Sequence, residues 1–118
     1  MYQNQELGKL GEDIATNYII KKGYKILYRN FECKQGEIDI IAKDKNEIVF
    51  IEVKTRTDMS YGEASEAITI FKLKHLLNSI KYFIYKNNLE NEFIRIDVIE
   101  VYIKNEDIKI NHIKKAIE

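Results

Sequence analysis

The sequence predicts an α/β domain, a mixed β-sheet covered by two helices in the order α-β-β-β-α-β-β. Two separate windows carry apolar residues at three- and four-residue steps, the period of a helix with one buried face. Five other segments, three in one group and two in another, are rich in β-branched and aromatic residues and alternate with period two. With 118 residues, 45% of them apolar, the chain can bury one core but is too short for two, so residues 1–118 read as a single domain.

Leu7, Leu10, Gly11, Ile14, Ala15, Tyr18 and Ile19 place a first helix over residues 5–22, closed by Gly23. On a helical projection Glu12 falls at the edge of that stripe while Asp13 points away, so Glu12 is the acid able to look inward. Strands follow at 24–32, 36–44 and 47–56, a meander with the turn pair Lys45-Asn46 between the last two. Residues 57–67, with Ser60 and Gly62, read as a loop or short helical turn. A second helix over 69–87 buries Leu73, Leu76, Leu77, Ile80, Phe83 and Ile84, with Lys72 bordering the stripe and Lys74 and Lys81 farther round. Strands at 92–103 and 107–113 close the chain.

Nineteen basic and nineteen acidic residues balance, which argues against a protein that coats nucleic acid by bulk charge. The distribution is uneven. Residues 67–89 hold Lys72, Lys74, Lys81, Lys86 and His75 with no acid, whereas residues 37–66 hold eight acids against four bases. The lysines also suit a solvated helix face. No apolar run approaches the roughly 18–20 residues of a membrane span, and the N-terminus lacks a signal peptide's apolar region, so a cytoplasmic location with no membrane partner is expected. Cys33 is alone, which excludes an intrachain disulfide and a thiolate-rich zinc site. His75 and His112 lack zinc-site spacing.

Chemistry concentrates on the 36–56 hairpin. A symmetric loop at Lys45-Asn46 pairs positions whose numbers add to 91, which sets Asp39 opposite Glu52 and Glu37 opposite Lys54. Alternation sends Phe50, Glu52 and Lys54 to one face, and Glu37, Asp39 and Ile41 to the face they meet. Two carboxylates then converge, with Cβ atoms about 5 Å apart, among apolar neighbours. Like charges so placed repel and are costly to desolvate, and something must offset that. One resolution is structural, with Glu52 bonded to Lys54 and Asp39 exposed on an edge strand. The other is a hard divalent cation, Mg²⁺ or Mn²⁺, which takes oxygen ligands from one or two carboxylates. Lys54 would then hold an attacking water or stabilise charge developing on a phosphodiester.

Asp39, twelve residues, then Glu52-Val53-Lys54 resembles the core signature of the PD-(D/E)XK nuclease superfamily, preceded by a helical acid, Glu12. The phrases Gly11-Glu12, Gly36-Glu37-Ile38-Asp39-Ile40-Ile41, Phe50-Ile51-Glu52-Val53-Lys54-Thr55-Arg56, Tyr61-Gly62 and Arg95-Ile96-Asp97-Val98 resemble the YraN-like family of small bacterial proteins over nearly the whole chain. That family is assigned to this superfamily, with a restriction-endonuclease-like fold similar to Holliday-junction resolvases. The resemblance implies that Asp39, Glu52 and the backbone carbonyl of Val53 ligate Mg²⁺ or Mn²⁺. Lys54 would be the catalytic lysine, and Glu12 would act through a water or at a second metal position. Ile38 stands where the superfamily has proline, a position with no chemical role.

Arg56 on the Lys54 face, Lys72, whose place matches a recurring lysine of the family, and Lys74 are the cations expected to meet phosphate. Glu37 reads as a salt-bridge partner of Lys54, and Asp97 as a structural partner of Arg95. Tyr82 and Tyr85 could stack on bases but better suit core edges. The expected function is divalent-metal-dependent phosphodiester hydrolysis on nucleic acid, DNA before RNA, at junctions or branched ends, with a homodimer for symmetric cutting. The alternatives are a nucleic-acid-binding module that retains the nuclease fold, and an assembly domain pairing through one of the last two strands.

Overall fold

Five strands form one sheet in the order β1 (Lys25–Cys33), β2 (Gly36–Asp44), β3 (Glu47–Arg56), β4 (Phe93–Lys104) and β5 (Asp107–Ile117). Helix α1 (Asn4–Lys21) precedes β1, and helix α2 (Ile70–Lys86) connects β3 to β4. The structure, a computed structural model, describes residues 4–57 and 70–117. Neighbouring strands are antiparallel except β3 and β4, which run parallel because the connection through α2 returns the chain to the starting edge. The element order and the mixed sheet are those the sequence predicts.

β2 and β3 begin and end where expected, and both helices agree within one residue at each end. β5 runs four residues past the expected end at Ile113, because after a register shift between Ile96 and Val98 its last residue, Ile117, pairs back with Ile96. Of the two C-terminal strands only β5 is an edge; β4 lies inside the sheet. Most of the segment read as a loop at 57–67, with Ser60, Tyr61 and Gly62, lies outside the described residues.

Both helices stop on a left-handed residue. Gly23 has φ 96°, with Tyr24 N–H donating to Ile19 O at 3.0 Å and Gly23 N–H to Ile20 O at 2.9 Å. Asn88 does the same for α2 at φ 55°, with Leu89 N–H donating to Ile84 O at 2.9 Å. Orphan carbonyls of the last turn are thereby satisfied, and the chain is turned back toward the sheet.

The helices cover opposite faces. Leu7, Leu10, Ile14, Ala15 and Ile19 of α1 pack on Ile40, Ala42, Val49, Ile51, Ile99, Val101 and Ile103. On the other face Leu76, Ile80 and Phe83 of α2 pack on Ile38, Ile41, Ile48, Phe50 and Ile96. β3 and β4 are interior strands buried on both faces, the reason their sequences read as nearly continuous apolar runs. Two close approaches set the helices. At Gly11 a Cβ would overlap the Thr55 side chain, so α1 lies directly on β3 and carries Glu12 to the sheet. At Gly36, with φ 147°, a Cβ would stand 3.2 Å from Ser79 Oγ and 3.5 Å from His75 Cβ, so the β1–β2 turn sits against α2. Among the described residues no helix is long and apolar enough to cross a membrane.

Candidate functional site

The β2–β3 hairpin adopts the expected register, from Asp44↔Glu47 at the turn to Ile40↔Ile51. Asp39 and Glu52 are the next positions along the two arms. There the ladder gives way to a side-chain bond, Val53 N–H donating to Asp39 Oδ2 at 2.8 Å. Strict alternation also breaks at this point, since Ile38 packs with the α2 cluster and Ile40 with the α1 cluster although they are two residues apart. Asp39 therefore reaches sideways across the fork between the strands, rather than standing straight off the α2 face as period two predicts. Nor is it exposed on an edge: it is 9% accessible, on an interior strand.

Burial, and then the neighbouring charge of Glu52, push the Asp39 carboxyl up to about 7, against the opposing bond from Val53 N–H. Glu52 meets Lys54, with Nζ 3.5 Å from Oε1, so this part of the structural resolution holds. Burial pulls the Lys54 ammonium below its ordinary value, the adjacent Lys72 adds to this, and Glu52 opposes it. β3 and α2 thus bring two lysines together beside two acids. The pairing offered between Glu37 and Lys54 is replaced by the Glu52–Lys54 contact, because the break at Asp39 removes Glu37 from its place opposite Lys54.

Glu37 and Glu52 instead line one wall of a cleft of about 230 Å³, whose other wall is Phe71, Lys72, His75 and Leu76 of α2. Glu12 lies on the α1 side, 3.8 Å from Arg29 in a second depression that also holds Asn30. Burial raises its carboxyl, partly offset by Arg29. Its charge still reaches Asp39. Arg56 ends β3 with a buried Nε that has no hydrogen-bond partner among the described residues. Lys74 is exposed on α2 and does not line the cleft.

Arg95 and Asp97 form the expected ion pair, Nε to Oδ1 at 3.1 Å. The sequence did not reveal the rest of that network. Arg95 also binds Asp44 at 2.9 Å, Glu47 at 3.0 Å and the Tyr24 hydroxyl at 2.6 Å. His112 Nε2–H donates to Asp97 Oδ2 at 2.7 Å, while the Tyr18 hydroxyl meets its Nδ1 at 3.2 Å. Sequence reasoning also passed over Phe71, whose ring lies edge-on to His75 with centroids 4.5 Å apart. Their four-residue spacing at the start of a helix was the available signal. Tyr82 stands instead by Phe31, 6.3 Å between centroids, away from the acids.

The oxygen donors fit a small hard cation. Asp39 is a buried carboxylate facing a second one, with the backbone of Val53 between them, and no three His, Cys, Asp or Glu side chains converge among the described residues. Asp39, Glu52 and the Val53 carbonyl are the groups here that could hold a divalent cation; Mg²⁺ and Mn²⁺ are ions that ordinarily keep waters alongside one or two carboxylates.

Fold and site together define an α/β domain with an acid pair and a lysine pair at the fork of its central hairpin. The chain belongs to the uncharacterised protein family UPF0102, whose profile matches residues 11–101, and this is the YraN-like family its motifs suggest. A UPF0102 protein of Caldicellulosiruptor saccharolyticus is 51% identical over 114 residues, covering 95% of this chain and 97% of the relative. One from Clostridioides difficile is 48% identical over 113 residues, covering 96% and 97%. Among solved structures the chain is similar to a repair endonuclease from Pyrococcus abyssi, with a TM-score of 0.40 and 18% identity, over 89% of this chain and 40% of that one.

Proposed function

We propose that this chain is a divalent-metal-dependent phosphodiesterase acting on nucleic acid, DNA before RNA. The observation that carries the reading is the fork itself: Asp39 buried against the charge of Glu52, with Lys54 3.5 Å from Glu52 and Lys72 beside Lys54. Asp39, Glu52 and the carbonyl of Val53 would hold Mg²⁺ or Mn²⁺, and Glu12 would act on them through a water. The bound ion supplies Lewis acidity toward a phosphodiester and makes a nearby water more acidic. Lys54, 3.5 Å from Glu52, would direct its ammonium at the attacking water or at a non-bridging phosphate oxygen. Lys72 neutralises the neighbouring phosphate. Arg56, whose buried Nε has no partner among the described residues, supplies a further donor at the end of the same strand. Junction-type DNA calls for two copies, and a dimer that extends the sheet would have to pair at β1 or β5.

The test is calorimetric titration of Mn²⁺ into wild type and Asp39→Asn, together with cleavage of labelled duplex, single-stranded and four-way-junction DNA. Binding to wild type alone, and cleavage lowered about 10²–10³-fold by Lys54→Ala, are expected. Activity indifferent to Glu52→Gln and Lys54→Ala would refute the reading. Salt-dependent DNA binding without metal dependence or turnover would identify a binding module in its place.

A further inference from the structure

The cleft between the hairpin and α2 has two unlike walls. One is acidic, formed by Glu37 and Glu52; the other holds the rings of Phe71 and His75, with Lys72 on the same helix wall. Phe71 is 74% exposed and its neighbour Ile70 88% exposed, at the start of a helix whose other large apolar residues are mostly packed on the sheet. The ring platform is held in place. His75 Nδ1–H donates to Gln35 O at 2.8 Å, Ser79 Oγ–H donates to His75 O at 2.9 Å, and Gly36 lets the turn come this close. At about 230 Å³ the cleft falls below the roughly 300–1,000 Å³ of pockets that enclose a whole small molecule. It suits one group of a larger ligand.

The geometry points to a single unpaired nucleotide as that group. Its base stacks on Phe71 against His75, while its phosphate lies toward Lys72 on the same helix wall. A nucleotide alone among common polymer units joins a planar apolar ring to a monoanion one sugar away, and the cleft carries both a ring pair and a lysine. A base paired within a duplex cannot enter. The substrate class is therefore nucleic acid with a single-stranded or locally opened stretch at the scissile position, and Phe71 is the residue that selects it. This rests on the nucleic-acid reading above and narrows it.

The chain has no tryptophan, so Phe71→Trp installs a sole reporter at an exposed position where the fold is not at risk. The experiment titrates this variant, with Ca²⁺ present, with an unlabelled single strand, a duplex containing a bubble, and a blunt duplex. The anisotropy of labelled forms of the same DNAs is followed with wild type and Phe71→Ala. The expected result is quenching by the single strand and the bubble but not by the blunt duplex. A weakening of about tenfold in Phe71→Ala, confined to the unpaired substrates, is also expected, the size of one lost base stack. Equal quenching by blunt duplex, or unchanged affinity in Phe71→Ala, overturns the proposal while leaving metal-dependent cleavage standing. Quenching without any metal effect or cleavage supports the stacking site and removes the enzyme. Emission already blue-shifted in the free protein, or a dimer that dissociates in Phe71→Ala, means that the chain itself covers the ring, and the proposal falls.

Discussion

The backbone N–H of Val53 donates to the Asp39 carboxylate at 2.8 Å, taking a side-chain oxygen where the next rung of the β2–β3 ladder would stand. Asparagine can accept the same bond without bringing a charge toward Glu52. In the absence of divalent metal, Asp39→Asn is expected to be more stable than wild type at pH 8, by on the order of 1 kcal/mol or more. The sign follows from the carboxyl, raised from 3.8 to about 7: the folded state holds its proton longer, so wild-type stability falls as pH rises through that interval and that of the variant does not. Parallel thermal melts at pH 5 and pH 8 measure it. A variant less stable than wild type at both would contradict the account.

Divalent metal is expected to reverse that order. At a hundredfold excess over its dissociation constant, an ion that binds only the folded chain stabilises it by about 2.7 kcal/mol. Wild type is expected to melt higher in Mn²⁺, and Glu52→Gln to lose most of the increment. A shift of equal size in both proteins would place the ion elsewhere.

Gly11 lies in the middle of α1, where alanine ordinarily stabilises by roughly 0.5–1 kcal/mol. Here a Cβ meets Thr55. Gly11→Ala is therefore expected to destabilise by about 1–3 kcal/mol and to lift Glu12 away from β2, with Thr55→Ser only partly compensating. Urea unfolding of the single and double variants reads it, and a stabilised Gly11→Ala would show that α1 does not pack as described.

Asp97 gives the acid limit. Burial alone would raise its carboxyl, but bonds from His112, Arg95 and the Lys115 amide outweigh this and hold it below 3.8. A depressed carboxylate contributes stability that is complete above its unfolded value and is lost as pH falls through the folded one. A loss of stability below about pH 4 is expected, with Asp97→Asn already weaker at neutral pH by about 1–3 kcal/mol, because the charge-assisted bonds from Arg95, His112 and the Lys115 amide are weakened while Arg95 keeps Asp44 and Glu47. A flat stability profile from pH 6 to pH 3 in wild type would refute it.

The strands and helices were legible because period and turn residues mark them locally: Gly23 and the Lys45-Asn46 turn bound α1, β2 and β3 closely. The hairpin register from Asp44↔Glu47 to Ile40↔Ile51 followed from one turn and one count. What escaped depended on contacts made after folding. The Glu37–Lys54 pairing assumed unbroken alternation, and a sideways hydrogen bond at Asp39 breaks it. The His112–Asp97 bond requires a β4–β5 register that shifts between Ile96 and Val98, a feature no local pattern encodes. Glu12 is half-buried, but Arg29 of β1 holds it on the α1 side at 3.8 Å together with Asp13 at 2.9 Å, so the acid read as pointing away shares its partner.

The hairpin also works as a ruler folded in half. Because Asp39 and Glu52 sit equally far from the turn on its two arms, the number of residues between them is not itself what the chemistry requires. Adding two residues to each arm would lengthen the interval by four and return both acids to the same faces, whereas one residue added to a single arm would turn one of them away. Within β3 there is no such freedom, since Glu52 and Lys54 share a face only at a separation of two. Insertions symmetric about the turn are thus the neutral direction of change for this site, and the Glu-Val-Lys step is the fixed one.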